Sequence, residues 1–344
     1  MKITRDDDRG KILVTGATGF IGSYITRELT AGNYNVRALR RSTSVLPQYI
    51  DPRILSACEW VEGDVLDPLS LEDALQGVSS VIHAAAVVSF NRRDKKLLHH
   101  VNEQGTANVV NAMIACGVER LTHISSVAAI GRSAVSERVA EDKRWEENGT
   151  QTEYAISKYR SEMEVWRGEA EGLSTVIVNP STVLGYGDWN QSSCRIFKSL
   201  YHEFPWYSTG VNGFVDVTDV ARAVRCLHES DIRAERFIVN ADNLEFRQLF
   251  NAIADAFGKK RPHIRATPLM SAVAWRLQKL KAMVTSADPL VTKETARVAN
   301  AHTFFSNDKL LTALPGFSFT PLEETVKTAC RQYVEGLRSG RTSA

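Results

Sequence analysis

Tyr154 and Lys158 stand four residues apart in the run EYAISKYRSE, a spacing that puts both on one face of a helix opening at Glu153. A phenol ordinarily releases its proton near pH ~10. An ammonium beside it favours the phenolate and draws that value down, so the pair can exchange a proton near neutral pH. Ser126, after the apolar run LTHIS, offers a hydroxyl to hold a carbonyl oxygen. Tyrosine–lysine pairs at this spacing also occur in helices without chemistry, so the reading needs a companion site.

That companion is TGATGFIG, Thr15 to Gly22. Gly16 suits a tight turn, Gly19 a close approach of backbone to a pyrophosphate, and Gly22 tight helix–strand packing. Thr18, Phe20 and Ile21 fill the loop and lead into a helix whose unpaired N–H groups and positive dipole end face the phosphates. The spacing G-x-x-G-x-x-G departs from G-x-G-x-x-G, and a glycine-rich turn alone says little. Cofactor choice is read at the end of the second strand, VRALRRS. An acid there would bond the ribose hydroxyls of NAD. Arg40 and Arg41 stand there instead, suited to a 2′-phosphate, so NADP is expected with NAD as the alternative. Solvated surface charge is the plainer reading of both arginines.

The elements that must position these residues alternate up to about residue 180. Lys11–Thr15, Asn35–Leu39, Val78–His83, Leu121–Ser125 and Ser174–Asn179 read as strands, and Gly19–Ala31, Lys95–Cys116 and Glu153–Glu169 as helices. Strands separated by helices imply crossovers and a parallel sheet covered on both faces. After Pro180 the rhythm breaks into an aromatic, glycine-rich loop, a short strand at Gly213–Val217, a helix capped by Thr218, a strand at Phe237–Asn240 and a helical remainder. The fold class is α/β: a Rossmann-type doubly wound parallel sheet with a smaller, mostly helical C-terminal substrate lobe. Residues 9–180, with a returning segment near 213–240, form the dinucleotide-binding core, and 181–212 with 241–335 the substrate lobe. The polar stretch Gly336 to Ala344 is expected to fray.

Composition agrees with an ordinary globular enzyme. The 344 residues are 43% hydrophobic, and 42 basic against 40 acidic residues leave a formal charge of +2, which asks for neither nucleic acid nor an anionic membrane. Five scattered cysteines suggest reduced thiols in a cytoplasmic setting, not a metal or disulfide framework. No apolar leader opens the chain, and no run is long enough to span a bilayer. His99 and His100 read as surface residues and Asp219 as a helix-start carboxylate. The amphipathic stretch Leu269–Val284 reads as a cleft cover or subunit contact ahead of a membrane-surface helix. Trp206 and Tyr207 either line the cleft or fill the smaller lobe.

Taken in order, TGATGFIG, GDVLD (63–67), HAAA (83–86), SSVAAIG (125–131) and YAISK (154–158) resemble the extended short-chain dehydrogenase/reductase family, also called the NAD-dependent epimerase/dehydratase family, over residues 11–240. The resemblance implies Tyr154 as general acid/base, Lys158 as the group bonding the nicotinamide ribose and tuning Tyr154, and Ser126 as the carbonyl-polarising serine, with Ser125 structural. It implies adenine contacts at Asp64 and Val65, a close dinucleotide path along Ala84, Ala85 and Ala86, and a turn into the nicotinamide and substrate region at Asn179 and Pro180. A homodimer is the family habit.

Within the family, a dehydratase would carry Thr-Asp-Glu after the serine, where this chain has Val127, Ala128 and Ala129. An epimerase would gather cations on a nucleotide diphosphate, but Arg195, Arg265 and Arg297 are dispersed. The chain looks more like dihydroflavonol reductase and 3β-hydroxysteroid dehydrogenase members, with an apolar pocket expected from Val87, Val88, Phe90, Val183, Leu184, Tyr186 and Trp189. The expected activity is NADP-dependent hydride transfer to or from an apolar carbonyl or alcohol. A nucleotide-sugar epimerase is the alternative, and a non-catalytic NADP sensor is disfavoured by the complete Ser126, Tyr154, Lys158 set.

Overall fold

A computed structural model describes residues 10–131, 138–147, 149, 151–267 and 299–342. Its strands are β1 (Lys11–Thr15), β2 (Val36–Arg40), β3 (Glu59–Glu62), β4 (Val78–His83), β5 (Arg120–Ile124), β6 (Arg138–Val139), β7 (Ser174–Pro180), β8 (Thr182–Leu184), β9 (Trp206–Tyr207), β10 (Val211–Asp216), β11 (Glu235–Val239), β12 (Asp242–Glu245), β13 (Ile264–Arg265) and β14 (Phe304–Phe305). The helices, numbered among the described residues, are α1 (Phe20–Ala31), α2 (Pro52–Ser56), α3 (Pro68–Leu75), α4 (Lys95–Leu98), α5 (Gly105–Cys116), α6 (Glu153–Ala170), α7 (Arg195–Tyr201), α8 (Val217–Glu229), α9 (Phe246–Phe257), α10 (Asp308–Ala313) and α11 (Leu322–Arg338).

Seven parallel strands make the main sheet in the order β11-β7-β5-β4-β1-β2-β3. Successive residues of a strand point to opposite faces, and here both faces are apolar. Ile12 and Val14 of β1 join Val36, Ala38, Ile82, Val176 and Val178 beneath α1 and α8. Leu13 joins Leu39, Val81, Leu121 and Ile177 beneath α3, α5 and α6. Each such side chain, fully buried, contributes about 1.5–3 kcal/mol, which explains strands that read as continuous apolar runs. The order reverses at β1, so β2 and β4 leave on opposite sides and open a crevice at the carboxyl ends of the strands, where open α/β sheets hold ligands.

Several elements depart from the expectations. β3 (EWVE) was not anticipated, because charged residues at both ends hide a half-buried centre. α2 and α3 each start at an Asp-Pro pair, with the Asp51 and Asp67 carboxylates accepting from Arg53 and Leu69 amides. The long helix expected over Lys95–Cys116 is α4 and α5 joined by a π-helical turn, His99–Gln104. The cap of α8 is Asp216, not Thr218: its carboxylate accepts from the Thr218 amide at 2.6 Å. Asp219 is structural, taking Thr320 N–H and the Arg222 guanidinium, both at 2.6 Å. Gly336 onward does not fray through Thr342, whose hydroxyl lies 3.1 Å from the Tyr186 phenol. His99 is half-buried and bonded to Glu103 and Glu153 rather than merely exposed. Leu269–Val284 and Arg297 lie outside the described residues. Beyond Pro180, β12-β10-β8 form a small sheet, and α7, α9 and α11 pack around Trp189, Phe197, Phe214 and Tyr333.

His228 of α8 ties that helix to the sheet, its ring nitrogens 2.9 Å from Ser80 Oγ and 2.8 Å from Thr122 Oγ1. Burial, with the Arg120 charge adding to it, pushes the imidazole down to about 3. A base depressed in the folded state contributes stability that is fully present above its ordinary value near ~6.5 and is lost as pH falls below it. Urea unfolding should therefore show stability falling below pH ~6.5, with a slope that approaches about 1.4 kcal/mol per pH unit between pH ~5.5 and ~4 for each such histidine. A His228→Gln variant should show a slope shallower by about one proton; an identical slope would mean that the native imidazole already carries its charge.

Candidate active site

The glycine turn sits at the carboxyl end of β1. Gly16 has φ +68°, and a Cβ there would lie 2.5 Å from Ala85 N and 2.6 Å from the Ala84 carbonyl carbon. A Cβ on Gly22 would strike the Gly16 carbonyl. Both positions thus demand glycine, one for conformation and one for helix packing. Gly19 caps α1 without a side-chain bond, and the first turn carries no acid. The first regular helix bond is Ser23 N–H to Gly19 O at 2.9 Å, so the amides of Phe20, Ile21 and Gly22 precede the hydrogen-bonded ladder. Such a helix end suits a phosphate, and the cradle fits a dinucleotide diphosphate.

Across the crevice, α6 starts with Thr152 Oγ1 accepting from Ala155 N at 3.0 Å. This cap sets Tyr154 in the first turn, half-buried, with its ring 5.8 Å from Phe90 in an edge contact. The Ser126 hydroxyl is near enough to the Tyr154 phenol to lower its pKa, and its Oγ accepts from Ala128 N at 3.2 Å. Lys158, one turn on, is 1% exposed and donates to Ile124 O at 2.8 Å. Burial draws the ammonium down to about 8, opposed by the Glu162 carboxylate. Burial raises the Tyr154 phenol above its ordinary value, and the Ser126 hydroxyl pulls partly back. This corrects the expectation that Lys158 draws the phenol down. The ammonium donates to a backbone carbonyl and is not among the causes of the phenol's shift, which burial dominates.

Beneath this face lies a polar network that motif reading missed. Glu162, two turns after Tyr154, is fully buried and accepts from Ser125 Oγ at 2.5 Å, Asn179 Nδ2 at 2.6 Å and Arg236 at 3.2 Å. Asn179 also donates to Ser126 O at 3.0 Å. Asn102, in the π-helical turn, clasps both backbone groups of Val87 and reaches Ser157 Oγ at 3.0 Å. His83 bridges Thr15 and Thr106, while His123 meets Ser161 at 2.8 Å. Burial and the Lys158 charge hold His83 down at about 3, and His123 is lowered by the same causes. The signal available in the sequence was the repeat Tyr154, Lys158, Glu162 at intervals of four, which continues one helix face by a further turn.

The crevice opens into a cleft of about 1550 Å³, larger than the ~300–1,000 Å³ of a pocket for one small molecule. Thr18, Gly19, Phe20, Ile21, Gly22, Ala84, Ala86, Val88, Phe90, Ser126, Tyr154, Lys158, Pro180, Val183 and Trp189 all line it. Several expected residues do not. Gly16 lies below the turn, and Ala85 packs into the core beneath α5. Val65 is buried under Gly105, and the Asp64 carboxylate accepts from Leu66 N at 3.0 Å. Tyr186 is 5% exposed, a core residue, because its ring packs on Tyr333 and Tyr49. Arg40 is half-buried and Arg41 exposed at the end of β2, outside the cleft wall. Glu62 is the register partner of Arg40 on β3, a carboxylate the strand-end reading did not foresee. Trp206 and Tyr207 line the cleft, as does Arg195, while Arg265 is exposed away from it.

A glycine turn and an uncapped helix start face Ser126, Tyr154 and Lys158 across one crevice of a Rossmann-type sheet, the arrangement expected of a nicotinamide-dinucleotide oxidoreductase. A family model described as the NAD dependent epimerase/dehydratase family matches residues 12–240, and the chain belongs to that family as an NAD(P)-dependent enzyme of the extended short-chain dehydrogenase/reductase type. It is 31% identical over 268 residues to sterol demethylase protein B of Methylococcus capsulatus, covering 76% of this chain and 79% of that one. It is 32% identical over 256 residues to a putative dihydroflavonol 4-reductase of Synechocystis, covering 72% and 73%. The crystal structure of gox2253 superposes with a TM-score of 0.80 at 30% identity, covering 97% of this chain and all of that one (100%). Among the described residues no helix is long and apolar enough to cross a membrane, and no group of three or more acidic, histidine or cysteine side chains is placed to hold a metal.

Glu162→Ala would leave the half-buried Arg236 guanidinium and the buried Ser125 and Asn179 donors without their carboxylate. Breaking one side of a buried pair costs about 3–5 kcal/mol, so the urea midpoint should fall steeply. A loss below about 1 kcal/mol, as for an exposed pair, would show that water reaches this carboxylate.

Proposed function

We propose that the protein transfers a hydride between NADP(H) and an apolar carbonyl or alcohol, with Tyr154 moving the matching proton. The observation that carries this reading is the convergence of Tyr154, Ser126 and Lys158 on one wall of a cleft whose opposite wall is the glycine turn. A bound nicotinamide supplies or accepts the hydride. Burial keeps the Tyr154 phenol protonated at neutral pH, so it can hand its proton to a carbonyl oxygen that gains negative charge. Ser126 gives that oxygen a second donor, the arrangement that stabilises developing charge. Lys158, anchored on Ile124 O, has further N–H donors for the ribose hydroxyls. Core residues 9–180 with 213–240 would hold the dinucleotide, and 181–212 with 241–335 the substrate.

Val87, Val88, Phe90 and Val183 make the substrate-facing wall apolar. Relatives named for a sterol and a dihydroflavonol support an apolar ring compound or chain over a sugar nucleotide. Arg40 and Arg41 favour NADPH over NADH, two cations against the single Glu62 carboxylate beside Arg40.

Oxidation of NADPH in the presence of hydrophobic ketones, aldehydes and sterols tests the reading, with UDP-sugar epimerisation assayed in parallel. Tyr154→Phe should bind NADPH as the native protein does and lose turnover by about 10²–10⁴-fold; unchanged turnover would remove Tyr154 from the reaction. Reduction should weaken as pH rises through about 8, where Lys158 gives up its proton. Arg40→Ala with Arg41→Ala should raise KM for NADPH far more than for NADH, and equal increases would count against a 2′-phosphate contact.

A further inference from the structure

Lys143 lies on the loop that carries the cleft wall beyond Ser126. It is half-buried, lines the cleft, and has no carboxylate within ion-pair distance among the described residues. Its Cε passes 3.8 Å from where a Cβ on Gly131 would stand, and Gly131 has φ +96°. The chain beneath Ile130 is thus turned so that the lysine stem lies along it. Arg144, exposed, lines the cleft next to it; Glu146 is the acid on the same rim, also exposed. Gln151 Oε1, in the same wall, is buried without a partner.

The loop is not free to carry this charge away. Arg236 bonds Glu141 O at 2.9 Å and Lys143 O at 3.2 Å. The Glu141 carboxylate accepts from Ile238 N at 2.8 Å. Trp145 stacks on Tyr159 of α6 with ring centres 4.4 Å apart. Arg236 is also the partner of Glu162, so the lysine is tied to the helix that carries Tyr154. A lysine whose stem is half-buried in the wall of an apolar cleft, with no carboxylate partner among the described residues, is available to an anionic ligand there.

We propose that Lys143 is a specificity-determining residue that receives a carboxylate, so that the substrate is an apolar oxo or hydroxy acid whose acid group lies near the reacting carbon. Phe90 and Trp145 take its hydrocarbon part, and the Gln151 acceptor is met by the Lys143 N–H groups or a ligand hydroxyl. This rests on the hydride-transfer reading for the reaction, but not for binding.

The test uses the full chain with NADP+, so that a ketone binds without turnover. Isothermal titration compares 3-oxodecanoate with its methyl ester in the native protein, Lys143→Met and Lys143→Arg. The acid should bind at least about 10-fold tighter than the ester, as a charge-assisted hydrogen bond allows. Lys143→Met should weaken the acid by about 10- to 100-fold and leave the ester unchanged, while Lys143→Arg keeps most of the preference. Equal binding of acid and ester, no binding of either, or equal weakening of both in Lys143→Met overturns the proposal. NADPH oxidation is read beside it. An acid preference lost in Lys143→Met, without oxidation, leaves the carboxylate site standing and removes the hydride reading. Oxidation with no acid preference does the reverse.

Discussion

The site depends on one buried carboxylate. Glu162 has no access to water, so its charge can persist only if fixed partners replace hydration. Those partners come from the ends of β5 and β7 and from β11: Ser125, Asn179 and Arg236. Because each must reach the same two oxygens, α6 has little freedom to slide or rotate against the sheet. Tyr154 and Lys158 share a face with Glu162, so the constraint on one carboxylate fixes the positions of a phenol two turns away and an ammonium one turn away. Stability and chemistry are thus linked through a single helix face, and removing the buried charge is a different experiment from removing the proton donor.

The same logic accounts for the neutral histidines. His83 and His123 lie at the ends of β4 and β5, 5.2 Å apart between ring centres, with Lys158 nearby. Two imidazoles in a water-free space cannot both charge beside an ammonium, so each serves as a hydroxyl-bonding spacer. His83 joins Thr15 at the end of β1 to Thr106 of α5, and so sets the separation between the glycine turn and the alanine strip. Asn102 does comparable work from an irregular turn. A π-helical bulge turns its amide onto the Val87 backbone, where a regular helix would aim it elsewhere. Polar groups of this kind fix geometry in a way that apolar packing does not, because a displaced partner leaves a buried donor or acceptor unmet.

What was readable beforehand follows from these physics. The strands β1, β4, β5 and β7 are buried on both faces, and that burial writes itself as apolar runs; the glycines are dictated by backbone contacts no other residue tolerates. The sheet and the turn were therefore legible. β3 was not, because an edge strand with one half-buried centre needs no apolar run. Tyr186 was misplaced because an aromatic in a loop next to the cleft looks the same from sequence whether it faces ligand or packs on Tyr333. Glu162 and Arg236 were invisible as a pair, since they are 74 residues apart and meet only through the α6–β11 contact. Tyr154 and Lys158 were singled out by spacing and Ser126 by its place after β5, but the burial around them was not legible, because spacing carries no information about water.

That last point decides what Tyr154 can do. A tyrosine activated as a base requires a neighbouring charge strong enough to outweigh the cost of burying a phenolate. Here Lys158 is itself lowered by burial and donates to the Ile124 carbonyl, and burial is the largest influence on the phenol. Under the proposed hydride transfer, a phenol raised by burial would keep its proton until a carbonyl oxygen takes it. Donation suits a carbonyl turning into an alcohol, the direction in which negative charge appears on the substrate oxygen and not on the protein. In the reverse direction of the proposed reaction the alcohol's proton would pass to the phenolate, whose burial is unfavourable. The asymmetry lies in desolvation and not in the identity of the residues, so a chain with the same Ser–Tyr–Lys set in a wetter cleft would be poised differently.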